Sequence, residues 1–232
     1  MHKSLLSAAA LAIAVVTPLA HAHTEGDIIV RAGAITVNPK ADSSSVKVDQ
    51  GPIAGTDLGG KATMSSNTQL GLNFAYMVTD HVGIELLAAT PFEHDVKLKG
   101  TSLPSANGKL GSLKHLPPTL SVVYYPLDNK SAFQPYVGAG INYTWIYDEH
   151  VGSRATTAGF DNFKAKNSWG LAWQIGADYM LTDNIMINAQ ARYIDIDTRA
   201  TVENNAVAPG TRAKVNVDVD PFVYMVGLGY KF

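Results

Sequence analysis

The chain contains no cysteine, which excludes a disulfide framework and thiolate metal sites. Only 16% of its residues are Asp, Glu, Lys or Arg, and the formal net charge is −2. No basic surface therefore points to nucleic acid as a partner. Past residue 22 no apolar run approaches the roughly 20 residues that a membrane-spanning helix needs. H-E-x-x-H, P-loop and G-x-S-x-G segments are all missing. His81, His94, His115 and His150 fall in turns, rims or loops, without a Ser/His/carboxylate set on one strand face. Glu93-His94-Asp95 is compact, but adjacent residues of a strand point alternately and cannot converge. These absences predict a protein that is not an enzyme and holds no cofactor or metal.

What is present begins with a leader. Lys3 starts a short basic segment, Leu5 to Leu19 is apolar apart from Ser7, Thr17 and Pro18, and Ala20-His21-Ala22 has the small-x-small form of a cleavage site. This predicts a secretory signal peptide over residues 1–22 and an exported chain over 23–232. The mean hydropathy of +0.02 suits an exported protein that crosses a membrane with strands. Such strands need only about 9–11 residues each and dilute their apolar signal by alternation.

The C-terminal segment carries that alternation most clearly. Phe222, Tyr224, Val226, Leu228, Tyr230 and Phe232 share one parity, and Val223, Met225, Gly227, Gly229 and Lys231 the other. Seven more segments behave similarly: about Asp27–Val37, Thr68–Val78, Val82 to beyond Ala89, Leu116–Tyr125, Pro135–Tyr147, one centred on Trp169 to Leu181, and Ile187–Asp197. Short turns at Thr79-Asp80-His81, Asp128-Asn129-Lys130 and Thr182-Asp183-Asn184 alternate with long polar loops near 38–66, 99–114, 148–167 and 198–214. This is the pattern of an eight-stranded antiparallel transmembrane barrel with periplasmic turns, external loops and the first strand paired to the last. Outward Tyr76, Tyr124, Tyr179 and Tyr230, with Phe232, form one expected aromatic girdle. Trp145 and Trp169 belong to the other, about a bilayer thickness away.

An eight-strand barrel is too narrow for an open aqueous channel, so its contents matter. The inward parity places Arg31, Glu85, Asp178 and Arg192 low, with Asn188, Gln190 and Lys231 nearby. Charges of both signs at one depth predict a paired polar plug. Higher up the same parity gives Ile35, Val37, Leu87, Ala89, Ile146, Ile194 and Ile196, an apolar upper lumen unless these residues merely pack one another. Pro91 lies nine residues beyond Val82, about 23 Å up a tilted strand. Pro117 and Pro118 open the neighbouring strand at a similar height. A closed barrel has no edge to excuse a proline, so the three either leave a gap in the wall or simply end two strands at the rim.

Six segments carry a family resemblance: Gly26-Asp27-Ile28-Ile29-Val30-Arg31-Ala32-Gly33, Thr68-Gln69-Leu70-Gly71-Leu72, Ala89-Thr90-Pro91-Phe92, Leu116-Pro117-Pro118-Thr119-Leu120, Gln134 through Thr144, and Val219-Asp220-Pro221-Phe222-Val223-Tyr224. Through them the chain resembles the OmpW/OprG family of small outer-membrane channels over essentially its whole exported length, and more closely the OprG branch. The resemblance implies an eight-stranded barrel that admits small, mainly hydrophobic molecules and releases them sideways into lipid, with Pro91 at the lateral gate. For the OprG branch it also implies a possible role with small amino acids. A loop-driven adhesin or purely structural barrel is the reading from a different class. A continuous dry upper pocket favours transport, and a solidly packed lumen favours the structural reading. The expected partners are outer-membrane lipid, small hydrophobic solutes and, through the last strand, the barrel-assembly machinery. The expected state is a monomer.

Overall fold

The computed structural model describes residues 22–232, so the expected leader lies outside the described residues apart from Ala22. Its strands are β1 (Ile28–Asn38), β2 (Asp42–Ser43), β3 (Val46–Gln50), β4 (Asp57–Met64), β5 (Asn67–Met77), β6 (Val82–Ala89), β7 (Phe92–Thr101), β8 (Gly108–Leu116), β9 (Thr119–Tyr124), β10 (Phe133–Val151), β11 (Phe160–Ala165), β12 (Ser168–Met180), β13 (Ile185–Ile194), β14 (Asp197–Asn204), β15 (Thr211–Asp218) and β16 (Phe222–Lys231). Among the described residues helix is confined to a 3-10 turn, Pro104–Ala106, and a short α1, Ser153–Thr157.

Eight of these strands close into a ring. Following the antiparallel pairings, β1 joins β5, then β6, β9, β10, β12, β13 and β16, and β16 returns to β1. The sequence reading is borne out in strand number, direction and closure of first on last. Closure at that seam depends on glycine. Gly33 faces Gly227 across β1–β16 and Gly71 across β1–β5. A Cβ on Gly33 would lie 2.1 Å from the Val226 carbonyl oxygen, closer than any side chain tolerates, so the strands bend through a row without side chains.

The outward parity makes an apolar belt. Leu70, Phe74, Ile84, Leu86, Leu120, Val122, Val137, Ile141, Leu171, Trp173, Ile175, Ile187, Val226 and Leu228 are all exposed, which is stable only against hydrocarbon. Tyr76, Tyr124, Tyr230 and Phe232 are exposed at the turn end, with Tyr179 half-buried there; Trp145 and Trp169 are exposed at the other end.

The long connections differ from expectation. In place of irregular polar loops they form a second tier of strands continuing the wall, in the order β10, β8, β7, β4, β3, β15, β14, β11. The reason lies in their own alternation: Val96, Leu98, Leu113, Val202, Ala213, Val215 and Val217 point inward and pack with Phe160 and Phe163 into a core continuous with Ile35 and Leu87. Lysines and acids of the opposite parity face water, which lowers the apparent hydropathy of each segment. Among the described residues only β10 runs unbroken through both tiers. The third expected strand does not continue past Ala89, and the fourth starts at Thr119 rather than Leu116.

Candidate functional site

The barrel floor is built by the inward parity of β1, β5, β6, β12 and β13. Arg31 on β1 is fully buried and donates from Nε to Asp178 Oδ1 (3.0 Å) and from Nη2 to Asp178 Oδ2 (2.5 Å). Its remaining donors reach Asn73 Oδ1 (3.0 Å), the Tyr125 hydroxyl (2.8 Å) and Glu85 Oε2 (3.5 Å). Arg192 on β13 donates to Glu85 Oε1 (2.6 Å) and to Gln174, whose side-chain amide donates in turn to Glu85 Oε1 (3.0 Å). The four side chains picked from sequence thus meet as two cations and two carboxylates of balanced charge. Balance is what allows charge to remain in so dry a place.

Other members of the floor were not singled out in sequence. Asn73 and Gln174 share the inward parity and were legible as polar residues on it. Tyr125 ends the expected fourth strand at the parity opposite outward Tyr124 and was legible too; His23 was not, because it lies outside the strands. The His23 ring meets Asp178 Oδ2 through Nε2 (2.9 Å) and packs edge-on against Tyr125 at 4.8 Å. Tyr136 accepts a bond from Asn188 Nδ2 (3.0 Å) and lies under the Arg31 guanidinium, 5.6 Å from ring centroid to Cζ. Lys231 donates to the Ala22 carbonyl (2.7 Å).

Above the floor Ile35, Val37, Leu87, Ile146, Ile194 and Ile196 are buried and belong to one apolar cluster, with Ala89 half-buried against it. A cavity of about 30 Å³ remains here, lined by Val37, Met64, His94, His115, Thr144, Ile146 and Ile196 among others. The route through the mouth is therefore shut in this structure by side chains, not by backbone. A larger concavity, about 670 Å³, lies elsewhere, on the outer wall among Val122, Val137, Trp173, Ile175 and Phe222. Lipid chains are its natural contents.

The wall around Pro91 is interrupted on both sides. The β6–β9 ladder stops at Leu87↔Thr119, and β7–β8 resumes at Phe92↔His115. Residues 88–91 thus face 116–118 without ladder pairing, and Pro91, Pro117 and Pro118 have no N–H to offer. On the other side β5–β6 ends at Gly71↔Ala89, followed by a bond from the Thr90 N–H to the Leu70 carbonyl (2.9 Å) and by Thr90 Oγ1, which accepts from the Leu70 N–H (3.3 Å) and donates to Gln69 Oε1 (3.0 Å). Pairing returns where Asp95 N–H meets Ser65 Oγ (3.0 Å) and at Met64↔Val96. The sequence reading anticipated a gap only between the third and fourth barrel strands; the second break, toward β5, follows from register and has no proline on the β5 side.

One residue stitches the first break. Asn142 on β10 is fully buried, and its Nδ2 lies 3.1 Å from the Pro117 carbonyl, 3.1 Å from the Pro118 carbonyl and 3.0 Å from Thr119 Oγ1. Thr144 holds its other end, donating to Asn142 Oδ1 (2.7 Å). The Tyr143 N–H satisfies the Pro118 carbonyl as well (3.1 Å). Backbone acceptors left without a strand partner are thus met from the neighbouring strand.

Just above, on the collar strands, two histidines meet. His94 Nε2 and His115 Nε2 are 2.8 Å apart, and His94 Nδ1 lies 2.5 Å from the Ser65 carbonyl oxygen. Burial pushes the His115 imidazole down to about 3, with His94 adding to the shift, and burial lowers His94 too. Both are neutral at pH 7. The three carboxylates Asp195, Asp197 and Asp220 also cluster at this level, at the exposed rim.

Residues 24–232 match the model of the OmpW family. The chain belongs to that family. It is 45% identical over 211 residues to outer membrane protein W of Vibrio cholerae, covering 91% of each chain. The crystal structure of the outer membrane protein OprG from Pseudomonas aeruginosa is 47% identical and superposes with a TM-score of 0.84, covering 91% of this chain and 98% of that one. A more distant relative is the dibenzothiophene metabolism operon protein PahQ of Pseudomonas aeruginosa, 28% identical over 174 residues, 75% of this chain and 76% of its own. The protein is accordingly an outer-membrane barrel of channel type, embedded in lipid, and not an enzyme.

Proposed function

We propose that the barrel serves passive uptake of small, mainly hydrophobic molecules, which enter the collar mouth and leave sideways through the wall near Pro91. The observation that carries this reading is the coincidence of an apolar lumen, a charged floor beneath it, and ladders that lapse over residues 88–91 on one side and 91–94 on the other, meeting at Pro91. The floor blocks straight passage, because crossing it means separating Arg31 from Asp178 and Arg192 from Glu85. An apolar solute in the upper lumen has lower free energy in lipid than in water by about 25 cal/mol per Å² of buried apolar area. No metal or energy source is required for that step. The name of PahQ, which ties that relative to an aromatic sulfur heterocycle's metabolism, supports the solute class.

The packed lumen specifically favours the competing structural or adhesin reading. Transport in the present reading requires collar side chains to move aside, whereas the structural reading requires no opening. A small amino acid is a poorer fit to this route, because its two charges would have to cross Ile35, Leu87 and Ile194 without partners. We further propose that the chain acts as a monomer and that β16 is read by the barrel-assembly machinery.

The test is Pro91→Ala. An alanine supplies the missing N–H at position 91, lets the interrupted ladders close there and seals the wall. Uptake of an alkane or naphthalene-sized aromatic by cells carrying the variant should fall at least several-fold. Heat-modifiable gel mobility should stay normal. Undiminished uptake in a folded variant removes the Pro91 gate.

A further inference from the structure

The histidine pair is assembled in one proton arrangement only. The Ser65 carbonyl can only accept, so His94 Nδ1 carries a hydrogen and donates to it at 2.5 Å. A neutral His94 then has a bare Nε2. The 2.8 Å contact to His115 Nε2 needs one hydrogen, and His115 must supply it. The ring planes lie within 23° of parallel with centroids 4.8 Å apart, a separation that brings the two Nε2 atoms to 2.8 Å only if those corners point at one another, as an N–H···N bond requires. A neutral imidazole with its hydrogen on Nε2 has a lone pair on Nδ1. That atom, His115 Nδ1, is buried and has no partner among the described residues.

A buried acceptor left empty calls for an explanation. The floor network does not involve His115, and its own strand pairing is complete without Nδ1. His115 instead lines the cavity of about 30 Å³ at the top of the lumen, together with Val37, Thr144, Ile146 and Ile196. That volume matches one hydroxyl or amino group, about the share of a single water, and is too small for a whole aromatic ring. The wall break starts at the next residue down, since Phe92↔His115 is the first ladder pair above it. Phe92 itself flanks the imidazole at 5.4 Å.

Resting on the uptake reading above, we propose that His115 Nδ1 is the recognition point of the lumen, and that the preferred solutes are apolar molecules carrying one O–H or N–H donor, of the phenol, aromatic amine or arylalkyl alcohol type. The donor occupies the small cavity and bonds to His115, while the apolar body lies against Phe92 beside the wall break. Carboxylates and carbonyl compounds, which offer only acceptors, are disfavoured by the same polarity. Pure hydrocarbons pass without that bond.

Matched pairs test this. Uptake of toluene and benzyl alcohol is measured in cells with and without the protein, for the wild type and for His115→Phe, which keeps the ring and removes the acceptor. The wild type should favour the alcohol over the protein-free baseline by about five- to tenfold, the worth of one hydrogen bond. His115→Phe should lose that preference while toluene uptake persists. An unchanged preference in the variant overturns the inference. A second measurement needs no variant: in detergent-folded protein labelled with 15N-histidine, benzyl alcohol should shift the His115 Nδ1 resonance and toluene should not. Equal response to both, or to neither, overturns it as well. Absence of protein-dependent flux for either compound, with the Nδ1 shift intact, sinks the uptake reading alone.

Discussion

From Asn73 and Gln174 downward the barrel interior holds the charged floor over an apolar layer of Ile29, Met77, Met180 and Met186, and all its wall ladders are continuous. From Leu87 upward the interior is mainly apolar, and the wall ladders lapse over residues 88–91 toward β9 and β8 and over 91–94 toward β5. The far wall at the same height is intact, with β1–β16 paired up to Asn38↔Phe222 and β10–β12 up to Thr144↔Ser168. The ladder also lapses between Tyr193↔Phe222 and Asp197↔Asp218, but there the Ile194 N–H meets the Pro221 carbonyl (3.2 Å) and the Val219 N–H the Ile196 carbonyl (2.8 Å), so backbone bonds still bridge it. The break beside Pro91 differs in that its carbonyls are met by the Asn142 side chain. The comparison separates two tasks: the lower half closes the pore, and the upper half offers an apolar solute a way out that avoids the floor.

The largest way to break this contrast is to unbalance the floor. Asp178→Asn keeps the shape of the side chain but leaves the Arg31 charge without its main carboxylate. The expected loss of stability is about 3–5 kcal/mol, the cost of orphaning a buried ion, read from urea unfolding of vesicle-inserted protein. Adding Arg31→Gln to Asp178→Asn should recover part of the loss, since the orphaned charge is then gone too. A loss under about 1 kcal/mol in the single variant would mean that water reaches the floor and the pore is not closed there.

A smaller change sharpens the upper half. Asn142→Ala removes the donor shared by the Pro117 and Pro118 carbonyls, at an expected cost of about 1 kcal/mol, since Thr119 Oγ1 and the Tyr143 N–H still meet those acceptors. Its signature should be local: hydrogen exchange at the Tyr143 N–H, which bonds the Pro118 carbonyl, speeds up while amides of β12 and β13 stay protected. Uniform deprotection would show that the break is not an independent unit.

Much of the lower half was legible because period-two alternation fixes which residues share a face once a strand is recognised. Arg31, Glu85, Asp178 and Arg192 could thus be placed together from parity alone. Tyr125 shares that legibility, as the residue after outward Tyr124 at the end of the expected fourth strand, but His23 does not, as it completes the floor from a segment that has no period to read. The collar was hidden for another reason. In β7 the inward His94, Val96 and Leu98 alternate with Glu93, Lys97 and Lys99, as in any half-buried strand, but the outer face meets water rather than lipid. Its charged residues therefore gave the segment the composition of a loop. The prolines marked the wall break, yet its second side toward β5 depends on which residue stands opposite which. That register is a property of the paired strands and is not present in either one read alone.

The smallest effect concerns the rim, where water rather than lipid surrounds the wall. Asp197 at the start of β14 faces Asp218 across the β14–β15 ladder. Desolvation and then the charge of Asp218, with those of Asp195 and Asp220, raise Asp197 above the usual carboxylate range. A carboxyl raised in the folded state costs stability wherever it is ionised, and that cost vanishes as pH falls through the raised folded value toward the unfolded one. Asp197 is well exposed, so solvent screening keeps the term below about 1 kcal/mol. Asp218→Asn should raise the thermal midpoint of the folded protein slightly at pH 7, and the difference from the wild type should shrink as the pH approaches 4. A gain that persists unchanged at pH 4 would assign it to packing rather than charge. Salt supplies an independent check, because screening at high ionic strength should erase most of a charge-based gain at neutral pH. The floor carboxylates of the lower half, by contrast, should show no such sensitivity, since no mobile ion reaches them.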